Sequence, residues 1–215
     1  MHTDAAILTL AQWFSPAYPI GSFSYSHGLE WAVETQQVRC SRSLRDWLED
    51  VLQFGAGQSD ALFLAAAFKA SDRAEIAWID ATCCAYAASK ERLSETRQQG
   101  AAFGEITASI RGVNLDALAY PVAVGQAARL CALPIALTAS MYLHAFCANL
   151  ISAAMRLIPL GQTEGNRLIH QLAPMCQDIA GDSRDGDLSR LSSTGFLADI
   201  AAMKHETQYS RIFRT

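Results

Sequence analysis

The sequence predicts an all-α fold, a single-domain bundle of roughly eight to ten helices over residues 1–215, and three observations carry that expectation. Alanine dominates: 37 Ala stand against 30 Val, Ile and Thr combined, of which only 6 are Val, and alanine loses least on entering a helix. Apolar residues recur at three- and four-residue steps, the period of a helix with one buried face. No repeat, coiled coil or strand can be read along the chain. The apolar set makes up 51% and the charged set 18% of the residues, the latter below the roughly 25% usual for soluble domains. Disorder is thereby excluded, and part of the surface is expected to be hidden against partners.

Each element has a local reason. Ile7, Leu8, Leu10, Ala11 and Phe14 lie at helical spacing over 5–14, and Pro16 and Pro19 prevent continuation. After the turn SPAYPIGSFS, a second helix places Tyr25, Leu29 and Ala32 on one face and His27, Glu30 and Glu34 on another. Ser43, with Asp46 three residues on, reads as a capping-box-like start of a third helix, whose Leu44, Trp47, Leu48, Val51 and Leu52 form a continuous apolar stripe. Gly55 and Gly57 break it. Helices follow over 59–70, over 72–88 with Asp72 as cap and Glu75 three on, and over 89–111. Gly100 and Gly104 cost that last helix about 1 kcal/mol each relative to alanine, which predicts close approach of a neighbouring helix. Pro121 and Pro134 suit the first turns of two later helices, the second running to about Arg156 before Pro159 and Gly161. A helix over 163–180 precedes GDSRDGD at 181–187, part of a flexible loop near 181–196. A short helix near 197–209 merges into a basic tail, 204–215.

Between Arg129 and Arg156 the chain carries no formal charge for 26 residues, enough to cross a bilayer. Thr138, Tyr142, Ala145, Asn149, Ser152 and Arg156 recur along it at three- and four-residue steps. That small and polar seam belongs to a central helix surrounded by others rather than to one facing lipid. Arg156 suits the negative end of the helix dipole and has a charge to pair with an acid elsewhere.

Several function classes drop out. With 21 acids, 17 bases and a net charge of −4, no chain-wide basic field exists to bind nucleic acid. No Gly-Lys pair occurs, so there is no phosphate-binding P-loop, and GxGxxG, GxSxG and CxxC are absent too. His205-Glu206 lacks the second histidine of a zinc-protease helix, where Tyr209 stands instead. His27 with Glu30, and His144 with Cys147, each supply half a metal site with no second half. Packing and hydrogen bonding are the competing roles. Six unpaired-looking cysteines and an N-terminus without a basic n-region place the chain in a reducing cytoplasm. The segment from Asp199 to Thr215 mixes Met203, Tyr209, Ile212 and Phe213 with Lys204, Arg211 and Arg214, residue types enriched at protein interfaces. Such a terminus either packs back on its own bundle or docks on another protein.

Four stretches together resemble one family, the urease accessory proteins of the UreF type: SPAYPIGSFSYSHGLEWAVE at 15–34, SKERLSETRQQG at 89–100, NLISAAMRLIPLGQTEGNRLI at 149–169 and DIAAMKHETQYSRIFRT at 199–215. Lys204 stands where arginine is common in that pattern, and Thr215 replaces a usual final serine. The resemblance implies an all-helical, non-enzymatic factor without a cofactor, which takes part in nickel insertion into urease. It implies a homodimer that binds a UreD-type scaffold, also called UreH, recruits the GTPase UreG and acts on apo-urease. Nickel is handled by the complex and is not expected to be held tightly. Carried onto matching positions, the partner-binding candidates are Tyr25, His27, Glu30, Arg156, Gln162, Lys204, His205, Glu206, Arg211 and Phe213. Beside each stands an intramolecular reading, in which Arg156 or Arg211 pairs with Glu30 or Glu206 and anchors the termini. Two alternatives differ in class: a regulator of the partner GTPase offering Arg211 or Arg214 in trans, and a helical metalloenzyme built on His27, Glu30 and His144.

Overall fold

The computed structural model describes residues 3–192 and 194–215, the side chain of Thr3 excepted; Met1, His2 and Ser193, which the single-domain and loop readings include, lie outside the described residues. The described residues are all-α. The helices are α1 (Thr3–Trp13), α2 (Leu29–Glu34), α3 (Ser41–Phe54), α4 (Ala56–Lys69), α5 (Arg73–Ala85), α6 (Lys90–Arg111), α7 (Tyr120–Leu130), α8 (Ile135–Leu157), α9 (Gln162–Asp182) and α10 (Phe196–His205). Short 3₁₀ turns occupy Ser22–Ser24 and Leu188–Arg190. One cluster of buried side chains runs from Ala6 to Phe213. At its centre α4, buried from Ala61 to Ala67, crosses α7, buried from Pro121 to Ala128. A methyl group on Gly125 would collide with the main-chain oxygen of Leu64, so the backbones themselves meet there.

Most local signals act where the sequence places them. The five residues of the α3 stripe are all buried. Asp72 caps α5 by accepting from the Glu75 amide at 2.9 Å, and Ser89 caps α6 by accepting from the Arg92 amide at 3.1 Å. A Cβ on Gly100 would strike the Leu118 main-chain oxygen, whereas one on Gly104 would find only ordinary contacts at 3.6 Å and beyond. Close approach therefore explains the first glycine and not the second, and the neighbour is the segment leading into α7.

Three expectations are corrected. Ser43 is not the cap of α3: Cys40 holds that place, and the Ser43 hydroxyl reaches back to accept from the Cys40 amide at 3.2 Å, the reciprocal half of the box. Gly57 does not break the chain but lies in the first turn of α4. The second helix is shorter than its polar and apolar faces imply. His27 (φ 58°) and Gly28 (φ 77°) are both left-handed, so Tyr25 and His27 precede α2.

Among the described residues α8 is the one helix long and apolar enough to cross a bilayer. It packs on α9, α4, α2, α7, α1 and α3. Its polar seam marks where those neighbours attach. The Tyr142 hydroxyl donates to Asp60 Oδ2 of α4 at 2.7 Å, and Asn149 Nδ2 donates to the Tyr25 carbonyl at 3.4 Å. The segment after α9 is tied down by Lys69 Nζ donating to the Asp185 carbonyl at 3.0 Å and by the Thr194 amide donating to the Phe54 carbonyl at 3.3 Å.

Candidate functional site

The last ten residues pack back on their own bundle. They cross the start of α2 and one face of α6 as an irregular strap, and an irregular segment must find partners for its amides outside any helix. At Ile212 and Phe213 the partner is a carboxylate. Glu30, in the first turn of α2 and only 6% exposed, accepts from the Ile212 amide through Oε1 at 2.7 Å and from the Phe213 amide through Oε2 at 2.9 Å. Hydrogen bonds of this charge-assisted kind are the strong ones, and they are what makes a buried carboxylate tolerable.

Two acids of α6 extend the clasp. Glu91 binds Arg211 Nη1 at 2.5 Å and His205 Nδ1 at 2.6 Å. The fully buried His205 ring turns its other nitrogen toward Glu30 Oε2 at 3.3 Å. Glu95 pairs with Arg92 and accepts from the Thr215 hydroxyl at 2.9 Å. Main chain meets main chain at the end of the strap: the Arg214 amide donates to the Ser24 carbonyl at 2.8 Å and the Ser26 amide to the Thr215 main-chain oxygen at 3.0 Å. The left-handed pair His27-Gly28 lets α10 approach, since a Cβ on Gly28 would lie 2.6 Å from the Ala202 nitrogen.

Arg156, in the last turn of α8, donates to the Phe23 carbonyl at 2.8 Å and lies 4.2 Å above the centre of the buried Phe213 ring. Its charge therefore meets an aromatic face and a carbonyl rather than a carboxylate. The intramolecular pairings foreseen for the arginines are thus corrected in detail. Arg211 pairs with Glu91 and Arg156 with Phe213, while Glu30 reads main-chain amides. Glu206 accepts from the Lys90 amide at 2.7 Å and satisfies the exposed start of α6. Tyr25 is buried and donates to Gln98 Oε1 at 2.9 Å. Lys204 and Gln162 are exposed, Gln162 at the first position of α9. Of the arginines considered for a GTPase, Arg211 is occupied by Glu91, and Arg214 is exposed and donates to Gln98 at 3.4 Å.

The residues that the sequence did not nominate are Ser26, Glu91, Glu95 and Thr215. Glu91 and Glu95 share one face of α6 at i, i+4 beside Arg92, a spacing visible in SKERLSETRQQG.

His27 is buried with its ring edge-on to Phe146 at 5.2 Å, and Nδ1 has no hydrogen-bond partner. Burial, reinforced by Arg92, holds its pKa well below the usual histidine value, so the ring is neutral at neutral pH. His144 lies on the wall of a groove of 390 Å³, lined also by Phe14, Ile20, Phe23 and Met141, and at its inner side by Arg92 and Glu95 of the clasp. Among the described residues no three His, Cys, Asp or Glu side chains converge as metal ligands. His27, Glu30 and His144 are therefore not brought together.

Outside the clasp, apolar side chains point to solvent. α10 buries Ala198, Ala201, Ala202 and His205 and exposes Phe196, Leu197, Ile200 and Met203. Tyr209 and Ile212 of the strap are exposed as well. This combination of apolar side chains with Lys204 and Arg214 is what a docking face requires.

A family model described as UreF matches residues 38–173. Curated relatives extend the match over both ends of the chain. The urease accessory protein UreF of Ruegeria pomeroyi is 58% identical over 213 residues, 99% of this chain and 98% of that one. That of Roseobacter denitrificans is 48% identical over 215 residues, covering 100% and 96%. That of Rhodopseudomonas palustris is 43% identical over 224 aligned positions, covering 99% and 92%. With the helical fold and the clasp formed by the stretches at 15–34, 89–100 and 199–215, these matches establish that the chain belongs to the UreF family of urease accessory proteins.

Proposed function

We propose that the protein is a non-catalytic urease maturation factor of the cytoplasm that works as an adaptor. It dimerises, binds a UreD/UreH-type scaffold and recruits the UreG GTPase, so that the assembly delivers nickel to apo-urease. Nickel is cargo of that assembly and is not held tightly by this chain. The observation that carries the reading is the outer face of α10, where Phe196, Leu197, Ile200 and Met203 stay exposed on a helix whose other face is locked against α2. A solvated helix gains nothing from such a face, whereas a protein partner buries it. The clasp holds the backbone of the adjoining Ile212, which lowers the ordering cost of docking. The scaffold is the occupant assigned to this face.

The test is Ile200→Asp combined with Met203→Asp, both exposed, so melting stays close to wild type. Co-expressed with the urease operon in place of the wild-type chain, the variant is expected to lose co-purification with the scaffold and to leave urease poor in nickel. Normal capture by the scaffold together with nickel-replete urease would refute the assignment.

A further inference from the structure

The fold brings together two thiols that the adaptor reading does not use. Cys147 of α8 and Cys176 of α9 are both buried, and their sulfurs lie 3.9 Å apart across the interface between these two packed helices. A disulfide needs sulfurs at about 2.05 Å, a shortening that a change of side-chain rotamers supplies when the backbones are already close. Here the sulfurs are already in contact between two packed helices, so the rotation required is small. The four other cysteines are also free thiols, and only Cys40 is exposed.

We propose that Cys147 and Cys176 form an oxidisable dithiol, a modification site at which a peroxide crosslinks α8 to α9. The two thiols are not equivalent. Either sulfur can donate in this contact; with Cys147 donating, the contact lowers the Cys176 pKa and raises that of Cys147. Cys176 is accordingly the nucleophile. Its thiolate attacks one oxygen of hydrogen peroxide, the O–O bond breaks, and a sulfenic acid forms as hydroxide leaves and takes up a proton to become water. Cys147 sulfur then attacks Cys176 sulfur, the S–O bond breaks and the S–S bond forms. The departing hydroxide leaves as water with the Cys147 proton. Two thiols lose two electrons and one peroxide becomes two waters.

Access comes from α9 itself. Pro174, inside the helix and two residues before Cys176, has no N–H to bond the His170 carbonyl and its ring crowds that carbonyl. The helix is locally weakened beside the nucleophile, where small openings admit peroxide.

The test treats the folded, full-length protein with hydrogen peroxide, blocks remaining thiols by alkylation under denaturing conditions and digests it with trypsin without reductant. The expected product is the peptide 130–156 joined to 168–184 through Cys147 and Cys176, absent after dithiothreitol. In Cys147→Ser the link is lost and Cys176 is trapped by dimedone as the sulfenic acid. Should that variant fail to fold, fragmentation of the linked wild-type peptide decides, by showing whether Cys147 or Cys131 carries the link. Alkylation of both cysteines in the peroxide-treated native protein, or a link seen only after unfolding in urea, would overturn the proposal.

Discussion

Replacing Glu30 by Gln tests the clasp at its centre. The carboxylate accepts from two strap amides, those of Ile212 and Phe213. A glutamine of the same shape keeps one oxygen but turns an NH₂ toward the other amide, so one hydrogen bond weakens and a donor faces a donor. Hydrogen bonds to charged groups contribute roughly 1.5–3 kcal/mol each, and a buried donor left without an acceptor adds to the loss. A loss of about 3 kcal/mol in the docking of the strap follows. At 1.4 kcal/mol per factor of ten, that is a rise of roughly 10² in the population of the undocked strap. Amide hydrogen exchange reads it directly: protection of Ile212 and Phe213 should fall by about two orders of magnitude while amides in α4 and α7 keep theirs. Trypsin should cleave after Arg211 correspondingly faster. Unchanged protection at 212 and 213 would refute the assignment of Glu30 as the anchor. Equal loss throughout the bundle would show that the strap is inseparable from the global fold.

Other consequences follow from the same geometry. Arg156→Ala removes the guanidinium above Phe213 and should cost about 0.5–1 kcal/mol by urea denaturation, with Phe213→Ala costing more because a buried ring is lost. Gly28→Ala places a methyl group against the Ala202 backbone at a left-handed position. Strain and clash together should exceed 1 kcal/mol and loosen α10, visible as exchange confined to α2 and α10. Burial raises the Asp60 pKa to about 6. Because its folded value is raised, ionisation burdens the native state: the penalty is absent below the unfolded value near 4 and complete above about pH 6. Asp60→Asn should therefore gain on wild type by on the order of 3 kcal/mol between those limits, and parallel stability-pH curves for the two proteins would contradict that origin.

The helices were legible because their causes are local. The α3 stripe, the Asp72 cap and the proline stops all act within a few residues of where they stand. The cap at Cys40 was hidden because a serine three residues on performs the visible half of the same box. The clasp was legible only in part. Its strap residues are conspicuous by type, but Glu30 meets amides 182 and 183 residues away, and no spacing rule reports such a pairing. His27 was misplaced onto α2 because a left-handed non-glycine residue leaves no compositional mark. Cys147 and Cys176 have no paired spacing, since α8 and α9 alone set their separation.

On the strap, Glu30 grips peptide groups, not side chains. The strap's hold is thereby indifferent to what residues 212 and 214 display outward, and their identities can be rewritten, by drift or by design, to suit a different neighbour without unfastening the segment that presents them.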